Sequence, residues 1–324
     1  MHTASPGQRD IAAPPARLAL LALAVALPVA AWVPWMAWAL SAPSPLGNFS
    51  DSIDYLVLAE YYARFFRGEP AGYTIDYFGQ SRFPPLFPLL LAAIGATPGN
   101  PFPGLVVTNL LAMVAVVAIA AWYLDQTRRV AVTALLALAA CACAGQLLLP
   151  LNTMSEPLML ALLGAILLLA ARRPERGSSL LVLAALVGVL PMARMAGVAM
   201  VVAFAIWTLR CGRLSWPLRL AGIAIAALPA LAWIAYRSLL PIEESYVEAL
   251  TLERALAAFG GWSGLLMQPL QMLRGLAEAF AQRPGTVQIG AAALVALLAA
   301  VGLPSRLRAN ALDAWFVPIY AGLV

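Results

Sequence analysis

The chain has 324 residues, 63% of them hydrophobic and only 11% charged, with a formal charge of +5 and a mean hydropathy of +0.85. An ordinary soluble domain carries about a quarter charged residues, so this chain lacks the polar surface to wrap an apolar core in water. Lipid must solvate much of it, which excludes a soluble enzyme and predicts an all-α, polytopic transmembrane helical bundle.

Residue types narrow the chemistry further. All 20 basic residues are Arg, and His2 is the only His, which leaves no His-based triad, proton relay or His-rich metal site. Cys141 and Cys143 lie in an apolar run and Cys211 sits between Arg210 and Arg213, reading as small helix residues and not as redox or metal ligands. The positive charge is dispersed at the ends of apolar runs, where it sets topology, so no nucleic-acid partner is expected. No resident cofactor is implied, and a divalent metal stays open without support from the spacing of ligands.

Taken in order, residues 1–16 form a polar tail, and nine apolar runs are long enough to be crossings: 17–40, 104–124, 130–149, 156–171, 178–192, 195–209, 218–239, 286–303 and 311–324. The first run is preceded by Arg17 and followed by an Ala37-Trp38-Ala39 triplet. Its length and its Trp32, Trp35 and Trp38 favour an uncleaved signal anchor over a removed signal peptide. Residues 17–239 read as one module with a first long loop at 41–103. A second long loop covers 240–285, and 286–324 holds further crossings. The last run stops at Val324 without polar flanks, as in a short final helix or the front portion of a longer protein.

Charge asymmetry orients these runs. Arg128 and Arg129, then Arg172, Arg173 and Arg176, then Arg210, Arg213 and Arg219, then Arg306 and Arg308 occupy the short connections on one side. By the positive-inside rule that side is cytoplasmic, together with the N-terminus. Eleven of the 15 acidic residues then face outward: Asp51, Asp54, Glu60, Glu69, Asp76, Glu156, Glu243, Glu244, Glu248, Glu253 and Glu278. Chemistry is expected on that outer face of a cytoplasmic membrane.

Three outer features could carry it. Residues 51–67 form an amphipathic helix at 100° per residue, with Glu60, Arg64 and Arg67 on one face and Tyr55, Leu58, Tyr62, Phe65 and Phe66 on the other, as in a helix lying in the membrane interface. Asp51 and Asp54 at its start can be a general base, or an N-cap and a dipole-favoured anion. Glu156 sits in a polar island with Asn152 and Ser155 between two apolar runs. Arg194 follows a run so short, about 22 Å at 1.5 Å per residue, that the turn is drawn toward hydrocarbon. It reads as a phosphate ligand, as a side chain snorkelling to the surface, or as an ion-pair partner of Glu156. Residues 84–96 are apolar but half a bilayer long and Pro-rich, which predicts a re-entrant or interfacial helix, with Arg82 just before it.

Four passages in this order resemble the GT-C superfamily of polyprenyl-phosphate-dependent glycosyltransferases. They are Asp51, Asp54, Tyr55 and Ala59 opening the first outer helix; RFPPLFPLLLA from Arg82 to Ala92; MSEPL from Met154 to Leu158; and ARMAG from Ala193 to Gly197. The likeness covers roughly residues 17–210. It implies an inverting membrane glycosyltransferase using a lipid-linked sugar phosphate as donor, with a glycan, lipid or protein acceptor. The catalytic acids it implies are Asp51, Asp54 and Glu156. Arg82 and Arg194 are the implied phosphate ligands, and Tyr55 the acceptor-side or interfacial residue. Where relatives often carry an acidic-basic pair before the Pro stretch, Arg82 and Phe83 stand here. A transporter or flippase, and a non-catalytic subunit of an envelope assembly complex, are the rival readings. The charges lie at loop edges, whereas transporters place them near the midplane.

Overall fold

The computed structural model describes residues 50–69, 83–127, 152–172, 177–239, 262–278 and 285–323, with the single positions 26, 129, 132 and 133. These residues are helical, with no strand longer than an isolated bridge between Thr97 and Asn100. Ten helices follow one another: α1 Ser50–Arg67, α2 Leu86–Ala93, α3 Phe102–Thr127, α4 Glu156–Ala171, α5 Gly177–Ala193, α6 Val198–Leu209, α7 Trp216–Ser238, α8 Trp262–Glu278, α9 Thr286–Arg308 and α10 Leu312–Leu323.

Three of them, α3, α7 and α9, are long and apolar enough to cross a membrane, with mean hydropathies of 2.4, 1.9 and 2.1 over their most apolar windows. The protein is a membrane protein that is all-helical among the described residues. α4, α5 and α6 are apolar but shorter, and α2, eight residues or about 12 Å, cannot cross. The expected first crossing at 17–40 lies outside the described residues apart from Ala26, as does that at 130–149 apart from positions 132 and 133. Two expected connections are helical instead. α9 runs through Arg308, past the expected end at 303, because Pro304 tolerates the helix and Arg306 finds a partner in Asp313. The second long loop contains α8, whose last turn carries an Arg274–Glu278 pair at 3.0 Å.

Small residues let the helices approach closely. A Cβ on Gly164 of α4 would stand 2.6 Å from Cβ of Ala118 on α3, and one on Gly188 of α5 would meet the Ile225 carbonyl oxygen of α7 at 3.0 Å. Such contacts hold helices together in lipid, where burial of apolar surface gives no drive. The main core joins α4, α5, α6, α7 and α10 through residues such as Ile166, Val187, Met200, Phe204, Ala226 and Phe316.

A second core sits at one end of the bundle. Tyr55, Leu56 and Ala59 of α1 pack with Phe87 and Leu91 of α2, against Leu158 of α4 and Ala193 of α5. Part of the apolar face expected to lie on lipid is therefore turned into protein, while Phe65 and Phe66 remain exposed. α2 ends at Gly95, which adopts φ +72° while the Gly95 and Ala96 amides return to the Ala92 and Leu91 carbonyls. That left-handed position favours glycine. At the opposite end of the bundle α9 closes the same way on Asn310, at φ +49°.

Candidate active site at the helix tips

The site begins with a break in the helical chain. Pro191 removes an amide from the last turn of α5, and Arg194 leaves the helix in an extended conformation (φ −158°, ψ 133°). A short 3-10 turn, Met195–Gly197, then reverses the chain into α6, with the Gly197 amide bonded to the Arg194 carbonyl at 2.8 Å. Only glycine fits at 197, since a Cβ there would lie 2.7–2.8 Å from the backbone of Leu190 and Pro191. Arg194 is thereby fixed at the tip of the α5–α6 hairpin.

Glu156 reaches the same tip from α4. It occupies the first helical position, ahead of Pro157, where the helix dipole favours an anion. Arg194 Nη1 pairs with Glu156 Oε1, and the side chains keep 39% and 30% of their exposure. The second carboxylate oxygen, Oε2, is buried and accepts no hydrogen bond from the described residues. Arg194 is thus ion-paired with Glu156, one of the structural alternatives to phosphate binding that the sequence allowed.

α1 completes the arrangement. Tyr55 is buried, and its hydroxyl shares a 2.7 Å hydrogen bond with Ser155 Oγ, beside Glu156 in the chain. The Thr153 amide donates to Ser52 Oγ at 3.2 Å. Burial pushes the Tyr55 phenol up to about 12, against the opposing pull of its Ser155 hydrogen bond. Glu156 and Asp51 add to the rise and Arg194 reduces it. Asp51, Glu156 and Arg194 therefore all bear electrostatically on one phenol. Asp51 is half-buried in the first turn of α1, which begins two residues earlier than a capping Asp51 requires, and Asp54 is half-buried one turn on.

The structure thus brings together Asp51, Tyr55, Glu156 and Arg194, with Asp54 on the same helix, while Arg82 lies outside the described residues. On the far face of α1, Glu60 accepts from Arg64 at 3.1 Å as the i,i+4 spacing predicts, but Arg67 turns to Glu69 at 2.7 Å. Ser52 escaped the sequence reading because a serine inside an amphipathic helix carries no signal; only the fold reveals it as the acceptor for Thr153. Arg237, 4% exposed in the last turn of α7, was likewise missed. Among the described residues no three His, Cys, Asp or Glu side chains converge as a metal site would require.

Neither a family model nor a curated protein matches the chain. The tip joins a carboxylate at the start of α4, an arginine paired with it, and a second carboxylate on α1 that acts electrostatically on the same phenol.

Proposed function

We propose that the protein is a GT-C-like membrane glycosyltransferase that moves a sugar from a polyprenyl-phosphate donor to a hydroxyl-bearing glycan, lipid or protein acceptor. The helix tips carrying Glu156 and Arg194 face outward, and the arginine-rich ends of the helices face the cytoplasm. The observation that supports the reading most is the Glu156–Arg194 pair. It holds a guanidinium in a defined direction at the membrane boundary while leaving its remaining donors for an anion, and a fork of donors suits phosphate.

In this reading Asp51 accepts the proton of the acceptor hydroxyl as its oxygen bonds to the anomeric carbon. The bond from that carbon to the donor phosphate breaks, and the departing polyprenyl phosphate carries its charge onto Arg194. Glu156 aligns Arg194 through Oε1. Tyr55, neutral at any physiological pH, closes the wall behind the reacting groups.

The test is sugar release from a polyprenyl-phosphate donor in membranes, normalised to folded protein. Asp51→Asn is expected to fold normally and lose about 10²–10⁴-fold in transfer. Arg194→Lys should weaken donor binding because a point charge replaces a fork. Parental rates in both Asp51→Asn and Glu156→Gln would remove the catalytic assignment.

A further inference from the structure

The segment that leads into α4 is buried without being helical. Asn152, Thr153 and Ser155 are 2%, 1% and 0% exposed, and the helix starts only at Glu156. Backbone amides in such a stretch have no helical ladder to join and must find partners elsewhere. An amide buried there alone would bear its full desolvation cost.

α1 supplies a partner. The Thr153 amide donates to Oγ of Ser52, which is 0% exposed in the first turn of α1 and 101 positions away in the chain. A serine inside a helix ordinarily turns its hydroxyl on its own backbone, so a serine that reaches to another segment is a tertiary contact. α3 closes on Thr153 as well. A Cβ on Gly104 would stand 3.2 Å from Thr153 Cγ2 and 3.4 Å from Leu56 Cδ2, so α1, α3 and the segment before α4 all meet at this glycine. Thr153 is held by its amide on α1 and by its methyl on α3.

This contact stands between the two acidic residues of the site. Asp51 directly precedes Ser52, and Glu156 follows Thr153 by three positions. One turn along α1, the 2.7 Å bond between the Tyr55 hydroxyl and Ser155 Oγ makes a second strut to the same segment. Two struts one turn apart fix both the height and the tilt of α1 on that segment, and Ser52 is the strut next to Asp51. Arg194 is held independently, by the tight turn at Gly197 and by its pair with Glu156.

We propose that Ser52 is a positioning residue of the sugar-transfer site: its hydroxyl seats the start of α1 on the segment before α4 and so sets where Asp51 stands relative to the Glu156–Arg194 pair. The inference rests on the sugar-transfer reading of that site. Loss of the hydroxyl leaves the arginine arm in place and misplaces the carboxylate that accepts the proton. Turnover should therefore suffer and donor binding should not.

Sugar release in membranes from a panel of undecaprenyl-phosphate-linked hexoses and pentoses, normalised to folded protein, tests it. Ser52→Ala removes the acceptor oxygen without adding bulk. A misplacement on the order of 1 Å costs up to about 10²-fold, so kcat is expected to fall about 10–10²-fold with an unchanged KM for the donor. Hydrogen exchange of the peptide containing Thr153, followed by mass spectrometry, should quicken in the same variant. Ser238→Ala, which removes an exposed hydroxyl bonded only to the Ala235 carbonyl of its own helix, should change neither readout. A parental kcat in Ser52→Ala would overturn the proposal, whether or not less folded protein is recovered, because the bond would then be merely structural. A loss carried wholly by donor KM, or unaltered exchange, would overturn it too. No transfer by the parental chain from any donor of the panel would instead strike the sugar-transfer reading, and the proposal with it.

Discussion

The strength of the Glu156–Arg194 pair can be worked from its surroundings. An exposed ion pair contributes about 0.2–1 kcal/mol, whereas breaking a buried one costs about 3–5 kcal/mol. With the side chains 30% and 39% exposed, the pair lies between these limits, and solvent screening pulls it toward the lower one. A double-mutant cycle of Glu156→Gln, Arg194→Gln and the double variant should give a coupling of about 1–2 kcal/mol. Half-buried Cys211 provides the assay: a thiol-reactive fluorophore reports its exposure on heating, in a background where Cys141 and Cys143 are Ser. At roughly 2–4 °C per kcal/mol for a chain of a few hundred residues, the two single changes should be non-additive by several degrees. Each single variant should melt lower than the double, because each leaves one charge half-buried and alone. Strict additivity, with a coupling below about 0.3 kcal/mol, would show that the two groups do not hold one another and would remove the basis for an oriented Arg194.

Tyr55 and Tyr62, both in α1 and both pushed up to about 12 chiefly by burial, should be the last phenols to ionise in an absorbance titration. Their folded values lie above the ordinary 10, so the stability they contribute is complete below pH 10 and is lost as pH rises toward 12; Tyr55→Phe and Tyr62→Phe should flatten that fall in melting temperature. A single early phenolate transition covering every Tyr would contradict this. Gly197→Ala should destabilise by about 1–3 kcal/mol, because its Cβ meets backbone and cannot be accommodated by a rotamer change. Gly68→Ala, strained only by its φ of +68° with nothing within 4 Å, should cost about 1 kcal/mol, and the reverse order on thermal melting would refute the packing argument. For orientation, an impermeant maleimide applied from outside should label Arg67→Cys and spare Gln126→Cys in a Cys-free background, and the opposite pattern would invert the proposed topology.

Much of this was legible in the sequence because lipid leaves few alternatives. α4 begins and ends where the apolar run between Ser155 and Arg172 does, and α1 covers the amphipathic stretch with one residue added. Boundaries failed where the deciding contact is tertiary. The continuation of α9 to Arg308 depends on Asp313, seven residues beyond Arg306, and no local signal announces it. α8 was invisible for a related reason: Gly264, Pro269 and Gly275 interrupt its apolar pattern, so the run is too short and too polar for a crossing and reads as loop. At the site, the pairing of Glu156 with Arg194 was one of several sequence readings, and seeing it required knowing that the α5–α6 turn and the start of α4 reach the same level. The Tyr55–Ser155 bond, linking residues a hundred positions apart, had no local signal at all.

The glycine contacts also determine which part of the site can yield. Gly164 locks α4, and with it Glu156, to the backbone of α3; Gly188 and Gly197 clamp α5 and its turn, and with them Arg194. Both halves of the ion pair therefore ride on stiff mounts that a substrate cannot bend. α1 is different, because side-chain packing in the second core and serine hydroxyls, Ser155 to Tyr55 and Ser52 to the Thr153 amide, hold it without an interlocked glycine. Hydrogen bonds of that kind exchange partners far more cheaply than interlocked backbones separate. In the proposed reaction, a bulky donor at these tips is expected to meet less resistance from α1, which carries Asp51, than from the glycine-locked mounts of Glu156 and Arg194.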